Sequence, residues 1–193
     1  MKKNIFIILL VLFSLFVFKS YESFVNIKDS VIRLHIIADS NDFADQAIKL
    51  KVRDYVLENY KFDNTNIDSN KRSVIADLNK ISADVTDYLN KNGFDYLAKA
   101  KFGNSYFPTK SYGDLSFPCG NYNALEIVLG EGKGQNWWCV MYPPLCFTEN
   151  SAKFTDQSKK ELMKSISEGD YEMLLSKGNI KFKTVEIINK IIK

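Results

Sequence analysis

A chain of 193 residues with 46% hydrophobic content carries enough apolar material for one domain with a core, and is too short for two. Its net charge of +3 divides unevenly: residues 1–20 carry +3, residues 21–150 carry −3 and residues 151–193 carry +3. The mildly acidic centre argues against nucleic acid as a partner, and the lysines of the tail read as a solvated face.

In chain order, the first element is "MKKNIFIILLVLFSLFVFKSYES". Two lysines precede an apolar run from Ile5 to Phe18 that only Ser14 interrupts, the order of an export signal. Fourteen helical residues reach ~21 Å, short of a ~30 Å hydrocarbon core, so the run resembles a signal segment more than a full span. No small-x-small cleavage site follows Phe18-Lys19-Ser20, which leaves an uncleaved anchor open. Either way the body is expected to be exported across a membrane, with membrane contact through this segment.

"SVIRLHIIADSN" predicts a strand that ends in the turn formers Asp39, Ser40, Asn41 and Asp42. Alternation puts Ile32, Leu34, Ile36 and Ala38 on one face and Arg33, His35 and Ile37 on the other. "DFADQAIKLKVRDYVLENY" follows as a helix, with Ala44, Ile48, Val52, Tyr55 and Val56 in one stripe and Leu50 and Leu57 nearly opposite. After the polar break "KFDNTNIDSN" a second helix is predicted from about Lys71 to Asn92. Val74, Leu78, Ile81, Val85 and Tyr88 form its apolar stripe, and Asn92-Gly93 its C-terminal cap.

The period then changes. "YLAKAKF", "SYFPTKSY", "NALEIVLG" and "NWWCVMY" are strand candidates, separated by Gly103-Asn104, Gly113-Asp114, Pro118 to Asn121 and the loop "GEGKGQ". That loop is not a phosphate cradle: Lys133 sits between glycines, no Ser or Thr follows it, and no helix can start in "NWWCVMYPP". A hairpin turn in which Gly130, Gly132 and Gly134 supply special backbone geometry is expected instead.

Phe147 to Lys160 reads as a polar linker. Beyond it, Phe182, Val185, Ile188 and Ile192 could form a helical stripe that docks on the body or lies on a membrane, with docking expected. The fold class is therefore α+β: one strand, two helices, an antiparallel meander sheet, an N-terminal signal or anchor helix and a peripheral C-terminal element. The corresponding division is 1–23, 24–147 and 148–193.

Cys119, Cys139 and Cys146 allow at most one internal disulfide in an exported chain. The spacer "VMYPPL" makes Cys139 and Cys146 the candidate pair. No metal site is expected, because His35 is the one histidine and lies far from the cysteines in sequence. No cofactor motif is present.

Three stretches, "RLHIIADSN", "DQAIKLKVRDYVL" and "FPCGNYNALEIVLGEGKGQNWWCVMYPPLCF", together resemble the stage II sporulation protein R family of endospore-forming bacteria. The match covers about residues 31 to 147, and Cys119 stands where the family carries a small residue, usually alanine. The resemblance implies a protein made in the forespore and exported into the space between the two membranes. Its implied partner is a membrane-embedded aspartic-type protease of the mother cell, which removes the pro-sequence of sigma-E.

This implies signalling by contact, with no catalytic residues. The alternative is a secreted hydrolase using His35 or a cysteine, with Asp39 and Asp42 near the histidine; a structural envelope protein is a third reading. The partner-binding candidates are the aromatic pair Trp137 and Trp138 with Tyr142, and the strand-end group Arg33, His35, Asp39, Ser40 and Asn41. Neighbouring tryptophans point to opposite sheet faces, so one is expected in the core and the other on a partly exposed patch. Oligomeric state is not legible.

Overall fold

The structure is a computed structural model that describes residues 2–62, 66–146, 156–175 and 180–192. It opens with one long helix, α1 (Lys2–Asp29), followed by β1 (Ile32–Ile37), α2 (Phe43–Asn59) and α3 (Ile67–Lys91). Five strands come next: β2 (Ala98–Phe107), β3 (Lys110–Tyr112), β4 (Leu115–Phe117), β5 (Gly120–Leu129) and β6 (Asn136–Tyr142). Three helices close the chain: α4 (Asp156–Ser165), α5 (Glu168–Leu175) and α6 (Ile180–Ile192).

The α+β class holds, with two antiparallel strand pairs in the main sheet, but the sheet is not a meander. Its order is β2-β5-β1-β6. The first strand is inserted between the last two, parallel to β5 and antiparallel to β6. Six apolar or aromatic-facing positions at the centre of a sheet bury more surface than they would at an edge, and Ile32, Leu34 and Ile36 are fully buried. Gly103-Asn104 is likewise no separator: both residues lie within β2, paired with Ala124 and Asn123. The small β3–β4 pair forms a second sheet.

One face of the main sheet carries α2 and α3. Ile48, Val52 and Val56 of α2 and Val74, Ile81, Val85 and Leu89 of α3 close over Leu34, Ile36, Leu125, Ile127 and Cys139. The helical stripe of α3 is the expected one. The helix begins earlier, because the Asn66 side chain accepts hydrogen bonds from the Asp68 and Ser69 N–H groups and caps it. At the outer edge of β2, the Ala98 and Ala100 N–H groups donate to Thr86 Oγ1 and Ser82 Oγ of α3, each at 2.9 Å.

The other face is covered over half its length. Phe24 and Ile27 of α1, Met173 and Leu174 of α5 and Phe182 and Val185 of α6 pack with Phe107, Phe117, Tyr122 and Val140. The docking expected of the tail is observed, and it is more than peripheral: these helices supply the second layer. The part of the linker before Asp156 lies outside the described residues.

Helix α1 is continuous from the apolar segment into the core. Ser20, Ser23, Phe24 and Ile27 are buried, so the boundary at 23/24 falls inside a helix whose last turns belong to the body. Nearly every side chain from Ile5 to Phe18 is exposed. The helix is long and apolar enough to cross a membrane, compatible with a signal or an anchor.

Candidate functional site

The part of the second face beyond the C-terminal helices is built by strand register, with Lys101 exposed, Trp138 half-buried, and Glu126 and His35 buried between them. Lys101 of β2 faces Glu126 of β5, Glu126 faces His35 of β1, and His35 faces Trp138 of β6. One row of side chains thus crosses four strands on one side of the sheet. The next row outward is Lys99, Val128, Ile37 and Asn136, all half-buried or exposed.

Contacts along this row are specific. The Lys101 ammonium lies 2.8 Å from one Glu126 oxygen. The other oxygen accepts from Ser105 Oγ at 3.1 Å and lies 3.2 Å from His35 Nδ1. His35 Nε2 pairs with the Asn136 amide group at 2.7 Å. The imidazole stacks on Trp138, and the Lys110 ammonium lies 4.7 Å from the centroid of the same indole. Burial pushes the Glu126 carboxyl up, but Lys101, Ser105 and His35 outweigh it and hold the group below the ordinary carboxylate range.

The glycine loop borders this platform at its far end, and it is not a hairpin turn. Because β1 lies between β5 and β6, residues 130–135 must cross the end of β1, a step of about two strand spacings, or ~10 Å. Asp39 anchors the crossing: its side chain accepts from the Glu131 N–H, and its carbonyl from the Lys133 N–H at 2.9 Å. A Cβ on Gly134 would lie 2.1 Å from the Ser40 carbonyl oxygen. Gly132 has φ +64°, and a Cβ there would meet Val128. Lys133 pairs with its neighbour Glu131 in solvent.

Of the residues singled out by sequence, His35 and Trp138 meet on the platform, with Asp39, Ser40 and Asn41 at its far end. Asp39 ties the loop, Ser40 Oγ donates to Asp45 and accepts from the Asp42 N–H, and Asn41 is exposed. Trp137 is on the opposite face beneath the Arg53 guanidinium, 4.5 Å from its ring centroid. Both tryptophans are half-buried, so neither is the fully buried one that was expected. Each is shielded by a cation as well as by apolar neighbours. Tyr142 stands at the other end of β6, edge-on to Phe62, and lines an apolar cavity of about 310 Å³ with Leu57, Met141, Pro144 and Cys146.

Arg33 is fully buried, which removes it from any contact surface in this conformation. Its Nε donates to the Cys139 carbonyl at 2.8 Å and its Nη2 to the Tyr112 hydroxyl at 3.0 Å. The rings of Phe107, Tyr122 and Phe117 surround the guanidinium at 4.3, 4.9 and 5.3 Å.

Sequence reasoning missed Glu126, Lys101, Lys110 and Asn136. A glutamate in the otherwise apolar run "NALEIVLG" was the available signal. Its partners could not be found without the register.

As a hydrolase the arrangement lacks a nucleophile among the described residues. Both His35 nitrogens are engaged by Glu126 and Asn136, and neither faces a hydroxyl or thiol. Cys139 and Cys146 are joined in a disulfide across Cα atoms 5.5 Å apart, and Cys119 is buried against α6, with its sulfur 3.9 Å from the Glu186 carbonyl. No group of three or more His, Cys, Asp or Glu side chains among the described residues could hold a metal ion.

The family model described as "Stage II sporulation protein R" matches residues 28–153. A relative named stage II sporulation protein R, from Bacillus subtilis (strain 168), is 37% identical over 165 residues, which cover 83% of this chain and 74% of the relative. No solved structure matches the chain. The matched region takes in the whole β1–β6 sheet with its platform and crossing loop, and the chain belongs to the stage II sporulation protein R family of sporulation proteins.

Proposed function

We propose that this protein is an exported sporulation signal that acts by contact, anchored through α1 and presenting the partly exposed outer end of its sheet, around Lys101, Asn136 and Trp138, to a partner. The partner is the membrane-embedded aspartic-type protease of the mother cell implied by the family resemblance, and the outcome is processing of pro-sigma-E. The protein does no chemistry of its own in this reading.

The observation that carries it is the Lys101–Glu126–His35–Trp138 row, whose Lys101 end is exposed and whose Trp138 end is half-buried over a buried Glu126–His35 pair, bordered by the half-buried or exposed row Lys99, Val128, Ile37 and Asn136. The direction of exposure supports the same reading. Tyr21 and Phe24 of α1 lie beside Gly120 and Asn121 at the start of β5, whereas the crossing loop lies at the end of that strand. Ten residues of strand span ~33 Å, so the platform and loop point away from the membrane end. Lys110 lies over Trp138 at the β6 end of the row and Lys99 and Lys101 stand on β2 at the other end, within a body that is acidic overall, which suits an acidic, partly apolar segment of the partner.

Photo-crosslinkers at positions 101 and 136 of the full chain, co-purified with the protease in detergent, test the surface. Crosslinks from these positions, and not from Lys71 beyond the opposite face, are expected. The reading is overturned if a folded Lys101→Glu, Lys110→Glu variant supports pro-sigma-E processing at the wild-type rate and no crosslink forms from the platform.

A further inference from the structure

Helix α6 has two apolar faces, and the fold uses one. Phe182 and Val185 are buried with Asn189 against the body, whereas Ile187, Ile191 and Ile192 are exposed, the last two at 78% and 69%. Large aliphatic side chains this exposed, at the end of a helix that also carries the exposed Lys190, call for a covering.

The position of α6 identifies what covers it. Asn189 Nδ2 donates to the Cys119 carbonyl at 2.7 Å and stands at Gly120 together with Phe24; a Cβ on that glycine would strike both side chains. Three residues further on, Ile192 lines a cavity with Tyr21, three residues before Phe24 in α1. The two helices therefore run antiparallel, and the end of α6 climbs toward the apolar segment. Tyr21 follows Lys19, the first charge after the apolar run. Two residues of helix rise ~3 Å, and the headgroup layer on each side of a bilayer is roughly 5–7 Å thick. Ile192 and Ile191 thus stand at headgroup level wherever α1 is inserted, with Lys190 beside them at phosphate depth.

We infer that the last turn of α6, through Ile191, Ile192 and Lys190, rests in the headgroup layer of the membrane that α1 enters, giving the body a second foothold. A helix that spans the bilayer alone leaves the body free to swivel about its axis; a second contact fixes which way the platform faces. The inference rests on α1 being membrane-inserted and is independent of who the partner is.

The test places a nitroxide label on the full chain in phosphatidylethanolamine–phosphatidylglycerol vesicles, in a Cys119→Ala background. Single sites are Ile191→Cys, Phe13→Cys within the apolar segment and Phe43→Cys, which is 90% exposed at the start of α2. The expected result is a severalfold loss of collisions with a water-soluble nickel complex at 191 relative to 43, with 13 the most oxygen-accessible. Equal nickel access at 191 and 43, with 13 in lipid, overturns the α6 contact and leaves the anchor standing. A label at 13 that is open to nickel overturns both. Spin–spin broadening at 191 that vanishes on dilution with unlabelled chain puts a second copy on this face and likewise overturns the membrane contact.

Discussion

The imidazole of His35 lies nearly parallel to the indole of Trp138, with ring centroids 5.6 Å apart and planes 14° apart. The pair is formed across β1 and β6, two strands brought together from opposite ends of the sheet-forming sequence. It makes Trp138 part of a rigid surface rather than a loose aromatic patch, and a rigid aromatic is what contact signalling needs.

Replacement of each tryptophan by alanine separates the two faces. Both are half-buried, so each truncation should cost about 2 kcal/mol, below the 3–5 typical of fully buried aromatics. Both variants should remain folded in urea titrations. Trp138→Ala should abolish pro-sigma-E processing, and Trp137→Ala, which loosens Arg53 and the α2–α3 side of the sheet on the opposite face, should retain it.

The crossing loop should tolerate loss of charge and reject loss of glycine. Lys133→Ala removes only a solvent-exposed pair with Glu131 and should leave the melting temperature nearly unchanged. Gly132→Val adds a β-branched side chain at positive φ, against Val128, and should cost roughly 1–3 kcal/mol or more. Thermal melts of the two variants give the order directly; a larger loss for Lys133→Ala would contradict the bridging role of the loop.

In the oxidised protein, intact mass should fall by two hydrogens, and peptide mapping should join Cys139 to Cys146 and leave Cys119 free. Closing so short a loop stabilises by about 2–3 kcal/mol through the unfolded chain. Reductant, or Cys146→Ser, should therefore lower the urea midpoint. Recovery of three free thiols from non-reduced protein would contradict the pairing.

The Glu126 carboxyl sits below its ordinary value of 4.5, because Lys101, Ser105 and His35 outweigh the effect of its burial. A carboxyl depressed in the folded state binds its proton more readily when unfolded. Its contribution is thus present above pH 4.5 and is lost as pH falls through the lower folded value. Urea midpoints measured on acidification should fall less steeply for Glu126→Gln than for the parent chain. Parallel curves would show that the row contributes nothing to acid sensitivity.

The sequence by itself determined which residues share a face. Alternation in "IRLHII" and "NWWCVMY" set Arg33 and His35 against Leu34 and Ile36, and Trp138 against Trp137; the 3.6-residue stripes of α2 and α3 marked the helices that cover one side. These are local periodicities, written by the backbone's own geometry. Tertiary structure alone decided that β1 enters between β5 and β6, because strand order depends on which apolar faces can be covered together and no short window contains that choice. The same insertion turned an apparent hairpin into a loop tied to Asp39, buried Arg33 among aromatic rings, and aligned Lys101, Glu126, His35 and Trp138 from four separate strands. How much of that face stays accessible was settled last, by α5, α6 and the end of α1, whose cluster buries Arg33 among its rings and reaches Trp138, leaving Trp138 half-buried and Lys101 exposed.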